Sequence, residues 1–125
     1  FTFSPIKRLI EGLKPNGCPI ILYSKNAHLL MPILSSLTVN VLSVDWQVSL
    51  PDLKTQYPHL VFQGNLNPTT LLNSLEESVL QTQTICKSME PHPGFIFNLG
   101  HGILPKTPLD HVQAVVDTVK QWSPT

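Results

Sequence analysis

Arginine is almost missing from this chain of 125 residues, with Arg8 the single one. Charged residues of all kinds make up only 13% of it, against about a quarter in an ordinary soluble domain. The eight acids and eight bases cancel to no net charge. A nucleic-acid surface needs a basic excess, so that class is excluded. Disorder is excluded too, because it goes with low hydrophobicity and high net charge, and 42% of this chain is hydrophobic. Cysteine is nearly as scarce. Cys18 and Cys86 are too few for a disulfide framework and form no Cys-x-x-Cys pair. Two isolated thiols suit a reducing, cytoplasmic compartment. No apolar run approaches the roughly 20 residues of a bilayer span, and the N-terminus lacks the basic-then-apolar order of a signal peptide. We therefore expect neither membrane attachment nor secretion. The chain starts at Phe1 instead of Met, so we expect it to be cut from something longer. The shortage of charge suggests a surface that lies partly against another one.

Proline is plentiful. The 12 prolines are dispersed, and they punctuate elements instead of forming a linker. Ile6, Leu9, Ile10 and Leu13 make one helical stripe, with Ser4 as N-cap and Pro5 at the first helical position. Pro19 to Tyr23 is a short apolar run of the kind found in strands buried on both faces. Leu29, Leu30, Ile33, Leu34 and Leu37 predict a second helix, interrupted or delayed by Pro32. The cycle repeats with a strand over 39–44, a short helix within 49–57 and a strand over 59–62 that ends in Gln63-Gly64-Asn65. A long helix follows, capped by Asn67 with Pro68 at its first position. Its predicted stripe is Leu71, Leu72, Leu75, Val79, Cys86 and Met89. A fourth strand, 95–97, ends in Asn98-Leu99-Gly100-His101-Gly102. The last helix takes Thr107 as N-cap, Pro108 at its start and Asp110 three positions in, with Leu109, Val112, Val116 and Val119 as its stripe.

Short apolar strands alternating with helices imply a parallel sheet with right-handed crossovers, in a single domain over 1–125. Every strand finishes in a polar or glycine cluster. In parallel α/β folds the functional groups sit at the carboxyl ends of the strands, so all four clusters are expected on one side. Two architectures fit: an open doubly wound sheet, or half of an eight-stranded β/α barrel. The charge-poor composition favours the half-barrel.

Asn98-Leu99-Gly100-His101-Gly102-Ile103-Leu104-Pro105, followed by Thr107-Pro108, resembles the C-terminal signature of the uroporphyrinogen decarboxylase family. Gln63-Gly64-Asn65-Leu66-Asn67-Pro68 is similar to the family's QGNLDP segment. Val44-Asp45-Trp46 is similar to its LDW strand end, and Lys25-Asn26-Ala27 to its lysine-containing turn. The likeness runs in order from near Phe3 to Trp122. Asn67 stands where the family has Asp, and Ala27 where Gly is common. The resemblance implies the C-terminal half of a (β/α)8 TIM-type barrel, the N-terminal part being absent. It implies a carboxy-lyase without cofactor that removes carbon dioxide from the four acetate arms of uroporphyrinogen, in porphyrin and heme biosynthesis. The partners it implies are the tetrapyrrole substrate, the missing N-terminal half and, for the full-length enzyme, a second copy in a homodimer. The family's pyrrole-gripping aspartate and its substrate-binding arginines, tyrosine and serine fall in the missing part. The one substrate contact carried over is His101, which would pair with a substrate carboxylate or donate a proton. A substrate with eight carboxylates facing a chain with one arginine predicts that the piece is inactive alone.

Each candidate has a plainer reading. The glycines beside His101 often supply positive φ for a turn, and the imidazole would then serve only that turn. Asp45 can move a proton, or it can bond backbone amides or Lys25 at the neighbouring strand end; we favour the second. Gln63 and Asn65 can face ligand or tie loops together, and again we favour the second. Asn98, Gly100 and Gly102 would frame the pocket. Trp46 can wall the cleft or simply pack. His28, His59, His92 and His111 make no metal-ligand spacing with Cys18 or Cys86. Gly94 and Gly100 belong to no dinucleotide or P-loop pattern, and Glu76 and Glu77 read as a solvated helix face. Two other readings stay open. One is a non-catalytic association module that pairs through open sheet edges and an apolar inner face. The other is a barrel related to corrinoid methyltransferases, which would bind zinc.

Overall fold

A computed structural model of the chain describes residues 3–122. Helix α1 (Phe3–Leu13) is followed by strand β1 (Ile21–Ser24), α2 (Ala27–Leu34), β2 (Val41–Val44), α3 (Leu50–Gln56), β3 (Phe62–Leu66), α4 (Leu75–Met89), β4 (Phe95–Leu99) and α5 (Leu109–Trp122), with short 3₁₀ turns at Lys14–Asn16 and Pro68–Leu72. The four strands are parallel and lie in the order β1-β2-β3-β4.

That order decides between the two architectures. A doubly wound sheet reverses its strand order at a switch point and carries helices on both faces. This sheet never reverses, and among the described residues the helices pack on one of its faces. Successive side chains point to opposite faces of a strand. Leu22, Leu42, Phe62 and Phe95 pair across the sheet in one row. They pack in a single cluster with Ile10, Met31, Leu34, Leu50, Leu53 and Met89 from the helices. Phe62 is wholly buried, which stabilises the fold by about 2–3 kcal/mol. The neighbouring row, Tyr23, Ser43, Gln63 and Ile96, faces the other way. Among the described residues no helix covers that side, and Ile21, Tyr23 and Ile96 stay 40–51% exposed there. A singly wound sheet with helices outside and an open inner face is part of a β/α barrel.

Several expectations are corrected. β1 is half-buried on one face and exposed on the other, because its odd-numbered residues belong to the open side. The inner face is mixed, not apolar, since Ser43, Gln63 and Asn98 share it with Ile21, Tyr23 and Ile96. β3 begins three residues later than the sequence suggests and runs through Gln63-Gly64-Asn65, so those polar residues are strand residues. In α1, Ser4 and Pro5 lie within the first turn. Ile10 is buried in the stripe, whereas Leu9 and Leu13 are exposed. α2 keeps Pro32 inside it and buries Ala27, Met31 and Leu34 while Leu29, Leu30 and Ile33 point outward. Asn67 caps the Pro68–Leu72 turn, and the long helix starts afresh at Leu75, where the Ser74 hydroxyl accepts the Glu77 amide at 3.0 Å. Its buried face includes Ser78 and Thr82, while Leu72 and Leu75 are exposed. Helix α5 starts at Leu109, which is exposed, and the Thr107 hydroxyl donates backward to the Leu104 carbonyl at 2.7 Å instead of capping it.

Cys18 is exposed and Cys86 buried, both as free thiols. Burial first, then the nearby Glu90 carboxylate, pushes the Cys86 thiol up to about 11, with a backbone hydrogen bond opposing. At neutral pH it is a protonated packing residue. Among the described residues, no helix is long and apolar enough to cross a membrane.

Candidate functional site

Parallel strands place their carboxyl ends together. The segments after β1, β2, β3 and β4 meet at one end of the sheet and are bonded to one another there. Asn26 takes a left-handed conformation, φ 56°, which asparagine tolerates better than most residues. Its amide donates to Asp45 Oδ2 at 3.2 Å. The left-handed residue of this turn is Asn26, so Ala27 meets no strain there and packs fully buried at the start of α2. Asn67 Oδ1 accepts the Thr69 amide at 3.1 Å and the Thr69 hydroxyl at 2.9 Å, which is work a carboxylate would also do.

Asp45 is 3% exposed. A backbone amide, not the Lys25 ammonium, bonds it, as the structural reading of this residue expects. Its Oδ1 is buried with no partner among the described residues. Asn65, also buried, donates both amide hydrogens to carbonyls of the β2–α3 connection, to Asp45 O at 2.9 Å and Val48 O at 2.7 Å. It ties strand to loop and is not among the residues that line the cavity on the open face. Gln63 differs: its amide nitrogen donates to Ser43 Oγ at 3.0 Å, strand to strand across the open face.

The glycines flanking His101 are not equivalent, and neither has a positive φ. Gly100 is buried where β4 ends. A Cβ built there would lie 2.5 Å from the Trp46 nitrogen and 2.9 Å from its Cα, so only glycine lets the two loops touch. The Gly100 amide also donates to Leu66 O at 2.7 Å, joining the ends of β3 and β4. A Cβ on Gly102 would meet nothing within 4 Å. Trp46 is therefore pressed by its backbone while its side chain stays half exposed.

His101 is exposed. Its ring lies edge-on to Tyr23, with centroids 6.5 Å apart and planes at 83°. The Tyr23 hydroxyl donates to Gly100 O at 3.2 Å. Burial and the Asp45 carboxylate both raise the Tyr23 pKa above its ordinary value, so the phenol keeps its proton at neutral pH and stays a donor. Ile21, Tyr23, Ser43, Gln63, Asn98, His101, Gly102 and Ile103 together line a cavity of about 510 Å³ on the uncovered face. The structure thus brings His101, Gln63, Asn98 and Gly102 to one cavity and sets Asp45, Asn65 and Gly100 behind it as framework. Tyr23 and Ser43 were not singled out from the sequence. Their signal was there in β1 and β2, where two polar side chains in adjacent apolar strands share one register position. Among the described residues, no group of three His, Cys, Asp or Glu side chains is placed to hold a metal ion.

A family model described as uroporphyrinogen decarboxylase (URO-D) matches residues 1–122. Curated relatives with the same name include those of Anaeromyxobacter sp. (strain Fw109-5), 38% identical over 98% of this chain, and Anaeromyxobacter dehalogenans (strain 2CP-C), 36% identical over 95%. The matched regions are 36% and 34% of those proteins, so the chain spans about a third of their length. Among solved structures, a methyltransferase from Methanosarcina mazei has a TM-score of 0.78 at 17% identity, covering 98% of this chain and 36% of that one. That likeness concerns the fold.

Proposed function

The chain belongs to the uroporphyrinogen decarboxylase family, and from that membership we propose that it is the C-terminal part of a β/α barrel that decarboxylates uroporphyrinogen. In this reading the uncovered sheet face and its strand ends are one wall of the tetrapyrrole cleft. The observation that carries it is the position of His101, at the carboxyl ends of the strands and at the rim of the sheet face that no helix covers among the described residues. Functional groups of barrels sit at that end.

The chemistry asks for two things. Protonation of a pyrrole carbon next to the acetate arm makes an electron sink. The arm's C–C bond then breaks, carbon dioxide leaves with its oxygen charge neutralised, a proton takes the vacated position, and the pyrrole carbon gives its own proton back. Meanwhile the remaining peripheral carboxylates must be held still. This wall serves the second need: His101, Asn98 and Gln63 offer hydrogen-bond donors to carboxylate oxygens, and Ile21 and Ile103 offer apolar surface to a pyrrole ring. A preorganised donor set of this kind works without reorganising during the reaction. The wall has one histidine and no arginine, so the cations and the acid that the reaction needs come from the remainder of the barrel. No cofactor enters this scheme. The same proposal places the protein in the cytoplasm, as part of a full-length homodimer.

The test is complementation. The purified chain is mixed with the part of the Anaeromyxobacter protein outside the matched region, and uroporphyrinogen is supplied under reducing conditions. We expect coproporphyrinogen from the mixture and none from either part alone. A mixture that associates but stays inactive supports the association-module reading instead. Carbon dioxide released by the 125-residue chain alone contradicts the division of labour.

A further inference from the structure

We propose that Tyr23 is the positioning residue for His101: its hydroxyl and its ring together hold the β4 loop so that the imidazole stands over the open face of the sheet. The inference rests on the cleft reading above for its purpose, though not for its geometry.

His101 sits in an exposed stretch between the end of β4 and the start of α5. Unlike His111, whose Nδ1 lies 2.7 Å from Leu71 O, its ring nitrogens have no hydrogen-bond partner among the described residues. An exposed imidazole with no bond is free to rotate, and a group meant to meet a ligand in one orientation loses affinity for every rotamer it must give up. The ordered contact it does have is Tyr23. That residue stands on β1, at the opposite edge of the sheet from β4. In a flat sheet, three strand spacings separate those edges by about 14 Å. Yet the phenol lies 3.2 Å from Gly100 O, across 77 residues of sequence. One side chain thus grips the residue before His101 and flanks the imidazole with an aromatic ring in the perpendicular geometry that aromatic pairs prefer. Gly100 is already fixed from behind, by Trp46 and by Leu66 O. Tyr23 adds the anchor on the cleft side.

The two functions separate by substitution. Tyr23→Phe keeps the ring and deletes the bond to Gly100. Tyr23→Leu deletes both, and because Tyr23 is 44% exposed, either variant should fold. The first readout is made on the 125-residue chain alone, by NMR. The His101 ring protons should be displaced from free-histidine positions by the Tyr23 ring current in the native chain and in Tyr23→Phe. In Tyr23→Leu they should return. The backbone order parameter at His101 should fall from about 0.85 to below about 0.6 in Tyr23→Leu and lie between in Tyr23→Phe. Unchanged ring resonances and order in Tyr23→Leu overturn the proposal, whatever becomes of the decarboxylase reading. The second readout uses the complemented barrel. Tyr23→Leu should lower kcat/KM about tenfold, and much less when His101 is already alanine, because the residue acts through the imidazole. An equal loss in both backgrounds also overturns the proposal. If His101→Ala alone leaves activity unchanged while the NMR result stands, the cleft reading fails and the Tyr23–His101 contact does not.

Discussion

Gly100→Ala should destabilise the chain by about 3 kcal/mol or more, lowering the melting temperature by about 10 °C. The atoms a methyl would strike are the Trp46 nitrogen, Cα and Cβ, at 2.5, 2.9 and 2.9 Å. They belong to backbone or to the root of a side chain, so no rotamer change makes room. Either the β2–α3 loop moves or β4 does. Moving β4 weakens the Gly100 amide bond to Leu66 O and the Tyr23 bond to Gly100 O together. Gly102→Ala is the control. Its Cβ enters empty space and its φ is not positive, so the change should stay within about 0.5 kcal/mol. Thermal melts of the two variants decide it. Equal losses would mean that the loops do not press on each other as described.

Asn65→Asp should be at least as damaging. The buried Asn65 amide donates to two carbonyls, Asp45 O and Val48 O, at 2.9 and 2.7 Å. A carboxylate has no donors, and it would face both oxygens with like charge in a site only 7% exposed. Asn65→Ala removes the donors without adding charge. It leaves two buried acceptors unsatisfied, at about 1–3 kcal/mol each. We expect losses of about 3 kcal/mol for alanine and more for aspartate at pH 7. Acid should relieve part of the aspartate defect, because a protonated carboxyl can donate once. Urea unfolding at pH 7 and pH 4 measures both. Equal stability of the native and alanine proteins would remove Asn65 from the framework.

The alternation of strand and helix, the parallel sheet and the common side of the strand ends were all legible, because each rests on local patterns: β-branched apolar runs, turn residues, and proline at helix starts. What escaped depended on faces and distances. Leu9, Leu29, Ile21 and Ile96 are apolar and exposed. Their hydrophobicity signals burial without saying against what, so a stripe drawn through them misplaces the core. Gln63 and Asn65 read as a polar cluster at the end of the strand, but β3 runs through both, with Gln63 on its open face and Asn65 turned to the β2–α3 loop. Asn67-Pro68 is a true start signal, spent on a 3₁₀ turn before the real helix begins at Leu75. In the site, His101 and its cluster were visible as a motif. The different duties of Gly100 and Gly102 were not, since both glycines look alike until Trp46 is set against one of them. Tyr23 was invisible as a partner because its contacts are 77 and 78 residues away along the chain.

The central claim is that the uncovered sheet face, with His101 at its rim, forms one wall of the tetrapyrrole cleft. Its most direct measurement is kcat/KM for uroporphyrinogen in the complemented barrel, with the native chain against His101→Ala. Losing one hydrogen bond to a charged carboxylate costs about 1.5–3 kcal/mol, so the account predicts a fall of about ten- to hundredfold. The variant should associate with the remainder as tightly as before. A complemented His101→Ala enzyme with native kcat/KM would contradict it.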